Sequence, residues 1–363
     1  MEKMKLKDLS FPQLQALITD LGEKPFRAQQ IYNWLYVQNV ADFDSMKNLP
    51  KSLREKLTDR THIDAISHEL TKDSPSGDAK KFLFKLDDGH HIETVLMYSD
   101  HGRTICISTQ VGCPIDCQFC ATGLMGLIRN LTAGEILDQF LQIERLTNER
   151  ITNIVVMGMG EPMLNYDNLM QALDILSDDN GRNMAKRQIV VSSSGVIPQI
   201  ERFIADNRKY RLAISLNATT DEVRNQIMPL NRKWPIKMLF ETVRKYTANR
   251  RNRITFEYVL LKGVNDTIED ARRLRDLVKH ERCILNIIPY NATFSVYTRP
   301  DEETIMRFYR ELDGLPIPVT IRWSKGVDID AACGQLVTRE GKAPLKNEKR
   351  RAAQIGVLQD KSL

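Results

Sequence analysis

The sequence lacks the features of a membrane or secreted protein. No apolar run approaches the roughly 18 residues that cross a bilayer. The first ten residues alternate lysine with leucine and methionine and contain no apolar signal segment. Internal repeats and long low-complexity tracts are also absent. These absences predict a cytoplasmic protein without a membrane partner.

Neither sign of charge dominates the composition. The 363 residues carry a formal net charge of +5, which permits a polyanionic partner but does not require one. With 42% hydrophobic residues, the chain can bury a large core. Its length accommodates a barrel of roughly 200 to 250 residues with additional segments.

Apolar periodicity divides the chain into four segments. Residues 1–75 carry apolar stripes at helical spacing and are predicted to form a small helical domain. Residues 76–100 contain two strand-like runs joined by Asp87-Asp88-Gly89, which predicts a β-hairpin. Residues 101–338 form the predicted core. Residues 339–363 are a basic tail that could contact RNA phosphates or remain a flexible, solvated arm.

The core segment predicts an α/β fold. Its candidate strands are 104–108, 151–157, 188–192, 211–215, 254–260, 284–289 and 319–321. Helical stretches separate most of them, and the first of these begins with a capping-box pair, Thr132 and Glu135. Repeated βα units favour a parallel sheet curled into a full or partial barrel. A doubly wound open sheet is the alternative.

Cysteine is the residue whose distribution is most informative. Three of the six cysteines, Cys113, Cys117 and Cys120, fall within eight residues. A reducing compartment argues against a disulfide framework, so clustered thiols indicate metal ligands or redox groups. Three thiolates can bind three irons of a cubane and leave the fourth open, whereas structural zinc normally needs four protein ligands. A zinc site completed by Cys106 or Cys333 is one alternative, and buried reduced thiols are another.

The C-x3-C-x2-C spacing, with Phe119 before the last cysteine, resembles the radical S-adenosylmethionine (SAM) superfamily. This resemblance implies a partial (β/α)6 radical SAM barrel. It also implies a [4Fe–4S] cluster on Cys113, Cys117 and Cys120, whose open iron chelates SAM.

Further segments match the places where that superfamily binds SAM. In Gly158-Met159-Gly160-Glu161-Pro162, glycines would let the backbone approach a ligand, and Glu161 could meet an ammonium group. Residues at or after predicted strand ends could contact the ribose, carboxylate or adenosine of SAM: Ser192, Ser215, Leu216, Asn217 and Asn291. A tight turn and ordinary loop capping are the alternatives for these segments.

Two thiols outside the cluster make the resemblance more specific. Cys106 lies in the strand that leads into the cluster loop, and Cys333 lies in Asp328-Ile329-Asp330-Ala331-Ala332-Cys333-Gly334-Gln335-Leu336. With the cluster and glycine motifs, they resemble the RlmN/Cfr family of radical SAM methyltransferases, which act on adenosine in RNA. The resemblance includes the helical domain of residues 1–75 and implies that this domain contacts RNA. Without that resemblance, Cys106 would be read as a packed strand residue and Cys333 as an incidental loop thiol.

The resemblance implies a mechanism that uses two SAM molecules per turnover. Cys333 takes a methyl group from the first, and a radical derived from the second removes hydrogen from that group, which then adds to the adenine ring. Glu93, otherwise a surface carboxylate of the hairpin, matches the family's base position. Cys106 then attacks Cys333, forming a disulfide and releasing the product.

Within the family, the segments around Gln110 and Gly160-Glu161-Pro162 look more like the RlmN branch, which methylates carbon 2 of adenine in 23S rRNA and in tRNA. The alternatives are Cfr-type carbon 8 methylation, which confers antibiotic resistance, and a non-catalytic, zinc-containing RNA-binding protein. Asn217 stands where the family usually has His, so this sequence departs from the family in a loop that would contact SAM. We also expect flavodoxin or ferredoxin as electron donor, and a monomer.

Overall fold

The computed structural model describes residues 3–100, 102–249, 252–293 and 295–338. The basic tail predicted at 339–363 therefore lies outside the described residues, and its role stays a prediction. No helix within the described ranges is long and apolar enough to cross a membrane.

The N-terminal segment contains three helices, as its apolar stripes predict. The helices are α1 (Phe11–Asp20), α2 (Phe26–Tyr36) and α3 (Lys51–Arg60), and two short strands, β1 (Met4–Lys5) and β2 (Thr61–His62), pair in parallel. Helix α1 begins with a capping box between Ser10 and Gln13 and buries Leu14 and Ile18, which lie four residues apart on one helix face.

The predicted hairpin is part of a larger antiparallel extension. Strands β3 (Ser67–Asp73), β4 (Ala79–Lys85) and β5 (His91–Ser99) pair in order, and β5 continues onto β6 (Gly102–Cys106). The helical prediction for residues 1–75 is therefore wrong at its end, where β3 forms instead. Cys106 lies opposite Val95, which places Glu93 on the same sheet face as Cys106, at a diagonal separation of about 7–8 Å between backbones.

A second small sheet carries the cysteine cluster. Strand β7 (Gln110–Gly112) pairs antiparallel with β8 (Leu127–Asn130), and the cysteine loop and helix α4 (Ala121–Met125) lie between them. This sheet was not predicted, because its strands are only three and four residues long.

The strand order of the central sheet distinguishes a partial barrel from a doubly wound open sheet. Strand β6 is followed by β9 (Asn153–Val156), β10 (Ile189–Ser193), β11 (Arg211–Ser215), β12 (Ile254–Leu260), β13 (Cys283–Pro289) and β14 (Val319–Ile321). These seven strands are parallel and adjacent in sequence order. A doubly wound sheet would reverse its order at a switch point. The order instead winds in one direction and ends at a free edge, β14, as a partial barrel does.

Helices connect the parallel strands and cover the sheet. They are α5 (Ala133–Thr147), α6 (Tyr166–Ser177), α7 (Ile197–Ala205), α8 (Asp221–Ile227), α9 (Ile236–Thr247), α10 (Ile268–Val278) and α11 (Glu302–Glu311). Helix α5 begins with the predicted capping box, in which Thr132 Oγ1 accepts a bond from the Glu135 amide and Glu135 accepts one from the Thr132 amide.

Candidate active site

The three clustered cysteines line one cavity at the ends of the parallel strands, which we call the cluster cavity. Five predicted SAM contacts and Cys333 share its wall with Cys113, Cys117 and Cys120: Gly160, Glu161, Ser192, Ser215 and Asn217. The structure thus brings together segments that are more than 200 residues apart in the sequence. Leu216 and Asn291 are not on this wall, and their predicted contacts with SAM stay predictions.

Leu216 and Asn291 have other partners in the structure. The Leu216 side chain is fully buried, and its amide donates to Glu257 O. Asn291 Nδ2 donates to Ser324 Oγ at 2.8 Å and to Cys333 O at 3.2 Å. In this conformation Asn291 therefore holds the loop that carries Cys333.

The glycines of the predicted SAM segment are required by packing inside the protein. A Cβ on Gly158 would lie 2.6 Å from Ile107 O, and one on Gly160 would lie 2.7 Å from Gln110 Cβ. Gly160 also has a φ of +105°, which disfavours any side chain. Close approach to the chain after β6 explains both glycines without a ligand, although both also line the cluster cavity.

Glu161 is a buried carboxylate with several hydrogen-bond donors. Its Oε2 accepts from the amide and hydroxyl of Ser194 at 2.8 and 2.6 Å, and its Oε1 accepts from the Met163 amide. Burial raises the pKa of Glu161 above its usual range, against these hydrogen bonds. The same bonds orient the carboxylate on the cavity wall, where it can receive a cationic group.

Asn217 adopts a left-handed backbone conformation with a φ of +57°, which asparagine tolerates better than most residues. Its Oδ1 accepts from the Val259 amide at 2.9 Å, and its carbonyl accepts from Asn265 Nδ2 at 2.7 Å. The residue that departs from the family's usual His therefore has a structural role at the end of β11.

Cys106 and Cys333 line a second cavity, which we call the thiol cavity. Cys333 lies on the walls of both this cavity and the cluster cavity. All six cysteines of the chain are free. Desolvation raises the pKa of Cys106 to about 12 and that of Cys333 to about 11, and the Arg322 guanidinium opposes both shifts. The Cys333 side chain is nevertheless accessible from the cavity.

Glu93 lines a third cavity, which we call the Glu93 cavity. It is not the surface carboxylate that a hairpin position suggests, because only 6% of the residue is exposed. Its Oε1 lies 3.0 Å from Lys81 Nζ, and its Oε2 accepts from the Val337 amide at 2.8 Å. Burial raises the pKa of Glu93 above its usual range, and Lys81 opposes this shift.

Sequence reasoning missed three charged residues near these thiols and carboxylates. Lys81 pairs with Glu93. Arg322 lines both the cluster and thiol cavities, and its Nη1 lies 3.8 Å from Glu257 Oε1. Glu257 also lines the cluster cavity, and its buried Oε2 has no hydrogen-bond partner among the residues that the structure describes. A charged residue inside the apolar strand sequence ITFEYVL was the available signal for Glu257.

Known proteins resemble the chain over almost its whole length. Residues 4–63 match the family "Ribosomal RNA large subunit methyltransferase N-terminal domain", and residues 107–276 match the "Radical SAM superfamily". Over 345 residues the chain is 44% identical to the "Probable dual-specificity RNA methyltransferase RlmN" of Staphylococcus saprophyticus, with 94% of each chain covered. The chain belongs to the RlmN family. An RlmN relative of the same description from Staphylococcus epidermidis is 44% identical over 343 residues, covering 93% of this chain and 94% of the relative.

A crystal structure agrees with the RlmN assignment. The radical SAM methyltransferase from Sphaerobacter thermophilus is 43% identical, with a TM-score of 0.88, and the match covers 92% of this chain and 99% of that one. The predicted family, the radical SAM fold class and the prediction of a methyltransferase are confirmed. RlmN proteins use a [4Fe–4S] cluster and SAM, so the predicted cofactors are confirmed as well.

The cysteine geometry fits a cluster better than a single zinc ion. No group of three or more ligating side chains in the described ranges surrounds a single-ion site. A zinc ion would draw four ligands to within about 2.3 Å of one point. Each iron of a cubane needs only one thiolate, so three cysteines spread over a cavity wall suit a [4Fe–4S] cluster. The zinc-containing, non-catalytic alternative is therefore not supported.

Proposed function

We propose that this RlmN-family enzyme methylates carbon 2 of an adenosine in 23S rRNA and in tRNA, and that the methyl group passes through Cys333. The observation that carries this proposal is the position of Cys333. It lies on the cluster cavity with Cys113, Cys117 and Cys120, and on the thiol cavity with Cys106. A thiol in this position can receive a group from a molecule in one cavity and transfer it to a molecule in the other.

The cluster with SAM supplies a methyl group and hydrogen-abstracting radical chemistry, with two SAM molecules used per turnover. The chain supplies the other groups. The Cys333 thiolate takes the methyl group from the sulfonium of the first SAM, which leaves as S-adenosylhomocysteine. After that group has lost one hydrogen atom, its carbon bonds to the ring carbon. Glu93 accepts the proton that leaves the ring carbon, and the unpaired electron would return to the oxidised cluster.

The Cys106 thiolate then attacks the Cys333 sulfur. The S–S bond forms as the bond from sulfur to the methylene carbon breaks, and that carbon takes the electron pair and a proton to become the methyl group of the released RNA. An external thiol reductant would reduce the disulfide between Cys106 and Cys333 before the next turnover.

Both thiol steps require thiolates, because the thiolate is the nucleophile. Desolvation disfavours the thiolates of Cys106 and Cys333, as their raised pKa values indicate. Arg322 favours both, and it lines both cavities that these thiols border. We infer that Arg322 stabilises the thiolate of each residue at the reaction step in which that residue acts.

Glu93 has the properties expected of the base. Its carboxylate is buried, lies on the same sheet face as Cys106, and has a pKa raised above the usual range for Glu. A raised pKa strengthens a carboxylate as a proton acceptor near neutral pH. These features support, for Glu93, the role that the sequence resemblance implies.

Mass mapping of the adenosine product tests the substrate and the ring carbon together. Reconstituted enzyme is incubated with SAM, a reductant and either a 23S rRNA fragment or tRNA, and the modified nucleoside is compared with 2-methyl- and 8-methyladenosine standards. We expect 2-methyladenosine from both RNAs. An 8-methyl product would establish the Cfr-type alternative, which the RlmN relatives do not favour, and no product from tRNA would restrict the enzyme to rRNA.

The remaining partners belong to the same proposal. One-electron reduction of the cluster requires a low-potential donor, for which we propose flavodoxin or ferredoxin. We propose that the enzyme acts as a monomer in the cytoplasm, where its RNA substrates are found.

A further inference from the structure

The loop of residues 330–337, which we call the Cys333 loop, separates the cluster cavity from the Glu93 cavity. Cys333, Gly334 and Leu336 line the cluster cavity. Asp330, Gln335 and Val337 line the Glu93 cavity. In this conformation Cys333 therefore borders the cluster and thiol cavities, while Glu93 lies on the other side of the loop, in a cavity that Cys333 does not line.

The Cys333 loop is held on both sides by hydrogen bonds. On the cluster side, the Ala121 amide donates to Gly334 O at 2.8 Å, and Thr122 Oγ1 donates to Leu336 O at 2.6 Å. On the opposite side, Lys81 Nζ donates to Asp330 O at 3.1 Å, and the Val337 amide donates to Glu93 Oε2 at 2.8 Å. The second pair joins the loop to strands β4 and β5.

Both oxygens of Glu93 have a partner in this state. Oε1 lies 3.0 Å from Lys81 Nζ, and Oε2 accepts from Val337. Each oxygen keeps a further lone pair for a proton. The Val337 contact nevertheless holds Glu93 against the loop that separates it from the cluster-side position of Cys333, so the loop must open before Glu93 can reach a ring carbon linked to Cys333. The contact with Lys81 is between two charges and is the stronger of the two, whereas the Val337 amide is neutral.

We propose that Lys81 is a positioning residue that fixes Glu93 and the Cys333 loop, and that the RNA substrate frees Oε2 by displacing Val337. The loop then acts as a latch, closed while Cys333 faces the cluster cavity and opened when a nucleotide enters the Glu93 cavity. Lys81 is suited to this role because it contacts both Glu93 and Asp330 while only 8% of the residue is exposed. The opening by RNA rests on the proposed function, whereas the closed latch does not.

Hydrogen–deuterium exchange of the holoenzyme tests the latch. Mass spectrometry follows peptides that cover residues 330–337 in wild type, Lys81→Met and Lys81→Arg. Methionine keeps the length of the side chain without its charge, and arginine restores the charge. Lys72→Met is the matched control, because Lys72 lines the same cavity and the described residues show no hydrogen bond between it and the loop.

Without RNA, we expect Lys81→Met to accelerate exchange in the loop by about tenfold or more, as loss of a charged hydrogen bond would. Lys81→Arg should restore protection, and Lys72→Met should leave it unchanged. Equal exchange in Lys81→Met and wild type would overturn the latch. So would acceleration spread over the whole protein and not rescued by arginine, because that pattern indicates general destabilisation.

In wild type, a saturating 23S rRNA fragment should accelerate exchange in the same peptides, although bound ligands usually slow exchange. Binding is measured separately by fluorescence anisotropy. Unchanged or slower exchange with RNA bound would overturn the opening by RNA. If the fragment does not bind, the proposed function fails and the opening fails with it, while the comparison of the Lys81 variants still decides whether the closed latch exists.

Discussion

Cys106 and Cys333 border one cavity, yet only Cys333 also borders the cluster cavity. This asymmetry supports the different roles that we propose for these two thiols. The residue with access to both cavities can receive a group from the cluster side and pass it on. Cys106 lines the thiol cavity and not the cluster cavity, which suits the late step that we propose for it, after the group has moved.

Replacement of Cys106 by alanine should therefore stop the reaction after RNA has become attached to Cys333. We expect covalently linked RNA–protein to accumulate with Cys106→Ala, detected as a shifted band on denaturing gels that is lost after RNase treatment. Cys283→Ala is the control, because Cys283 is also buried but its thiol faces Val278 O, away from the site. Normal turnover by Cys106→Ala without any adduct would contradict the resolving role.

Gly158 packs closely against the backbone that follows β6. A Cβ there would lie 2.6 Å from Ile107 O, and the backbone around Ile107 is buried and unable to yield freely. We expect Gly158→Ala to lower the free energy of unfolding by about 1–3 kcal/mol, the usual cost of overpacking. Urea unfolding of cluster-free protein measures this, with Gly181→Ala as a milder comparison whose nearest atom would be 2.9 Å away. Equal stability of Gly158→Ala and wild type would show that the β6 end can move.

At the scale of elements, Glu135 joins three parts of the fold at the beginning of α5. It caps the helix through the Thr132 amide, binds Arg129 of β8 at 2.7 Å, and binds Lys5 of β1 at 3.1 Å. Burial opposes ionisation of Glu135, but Arg129 and the Thr132 amide outweigh it and hold its pKa below the usual range. Its charge therefore stabilises the folded state.

The pH dependence of this stabilisation has a defined sign. Because the folded pKa of Glu135 lies below the unfolded value of about 4.3, its contribution is present above that value and is lost as pH falls through the folded pKa. We expect Glu135→Gln to lower the free energy of unfolding by about 1.5–3 kcal/mol at pH 7, with a smaller difference near pH 4. Glu55→Gln, which removes an exposed pair with Lys51, is the control and should cost under about 1 kcal/mol. A difference for Glu135→Gln that grows on acidification would contradict the argument.

The elements that could be predicted from sequence are those whose own residues specify them. The parallel strands are short, largely apolar runs, and helix α5 has an amphipathic stripe and a capping box, so both were found. Strand β3 was missed because its sequence, SHELTKD, is exposed and charged, and it owes its conformation to pairing with β4. The role of Lys81 could not be predicted for a similar reason. Its partner Asp330 is 249 residues away, and no local sequence pattern indicates such a contact.

At the scale of the whole molecule, a buried ion pair fastens the N-terminal segment to the barrel. Lys7 and Asp138 are both fully buried and bonded to each other, and Lys7 Nζ also lies 2.8 Å from Asp64. Asp138 belongs to α5 of the barrel, whereas Lys7 lies in the segment of residues 4–63 that matches the N-terminal family domain. The Lys7–Asp138 pair is therefore a charged contact between the two parts that water does not reach.

Removal of Lys7 should uncouple the two parts. Lys7→Met leaves Asp138 buried without its cationic partner, and we expect a loss of about 3–5 kcal/mol in the free energy of unfolding. Adding Asp138→Asn should recover part of that loss, because the uncompensated charge is then gone, so a double-mutant cycle in urea should be strongly non-additive. Lys3→Met, which removes only an exposed bond to Thr58 O, is the control and should behave like wild type.

Additive losses in the double-mutant cycle would mean that Lys7 acts through packing alone. A separate early transition in Lys7→Met, against one transition in wild type, would show that this ion pair makes the N-terminal segment and the barrel unfold as a single unit.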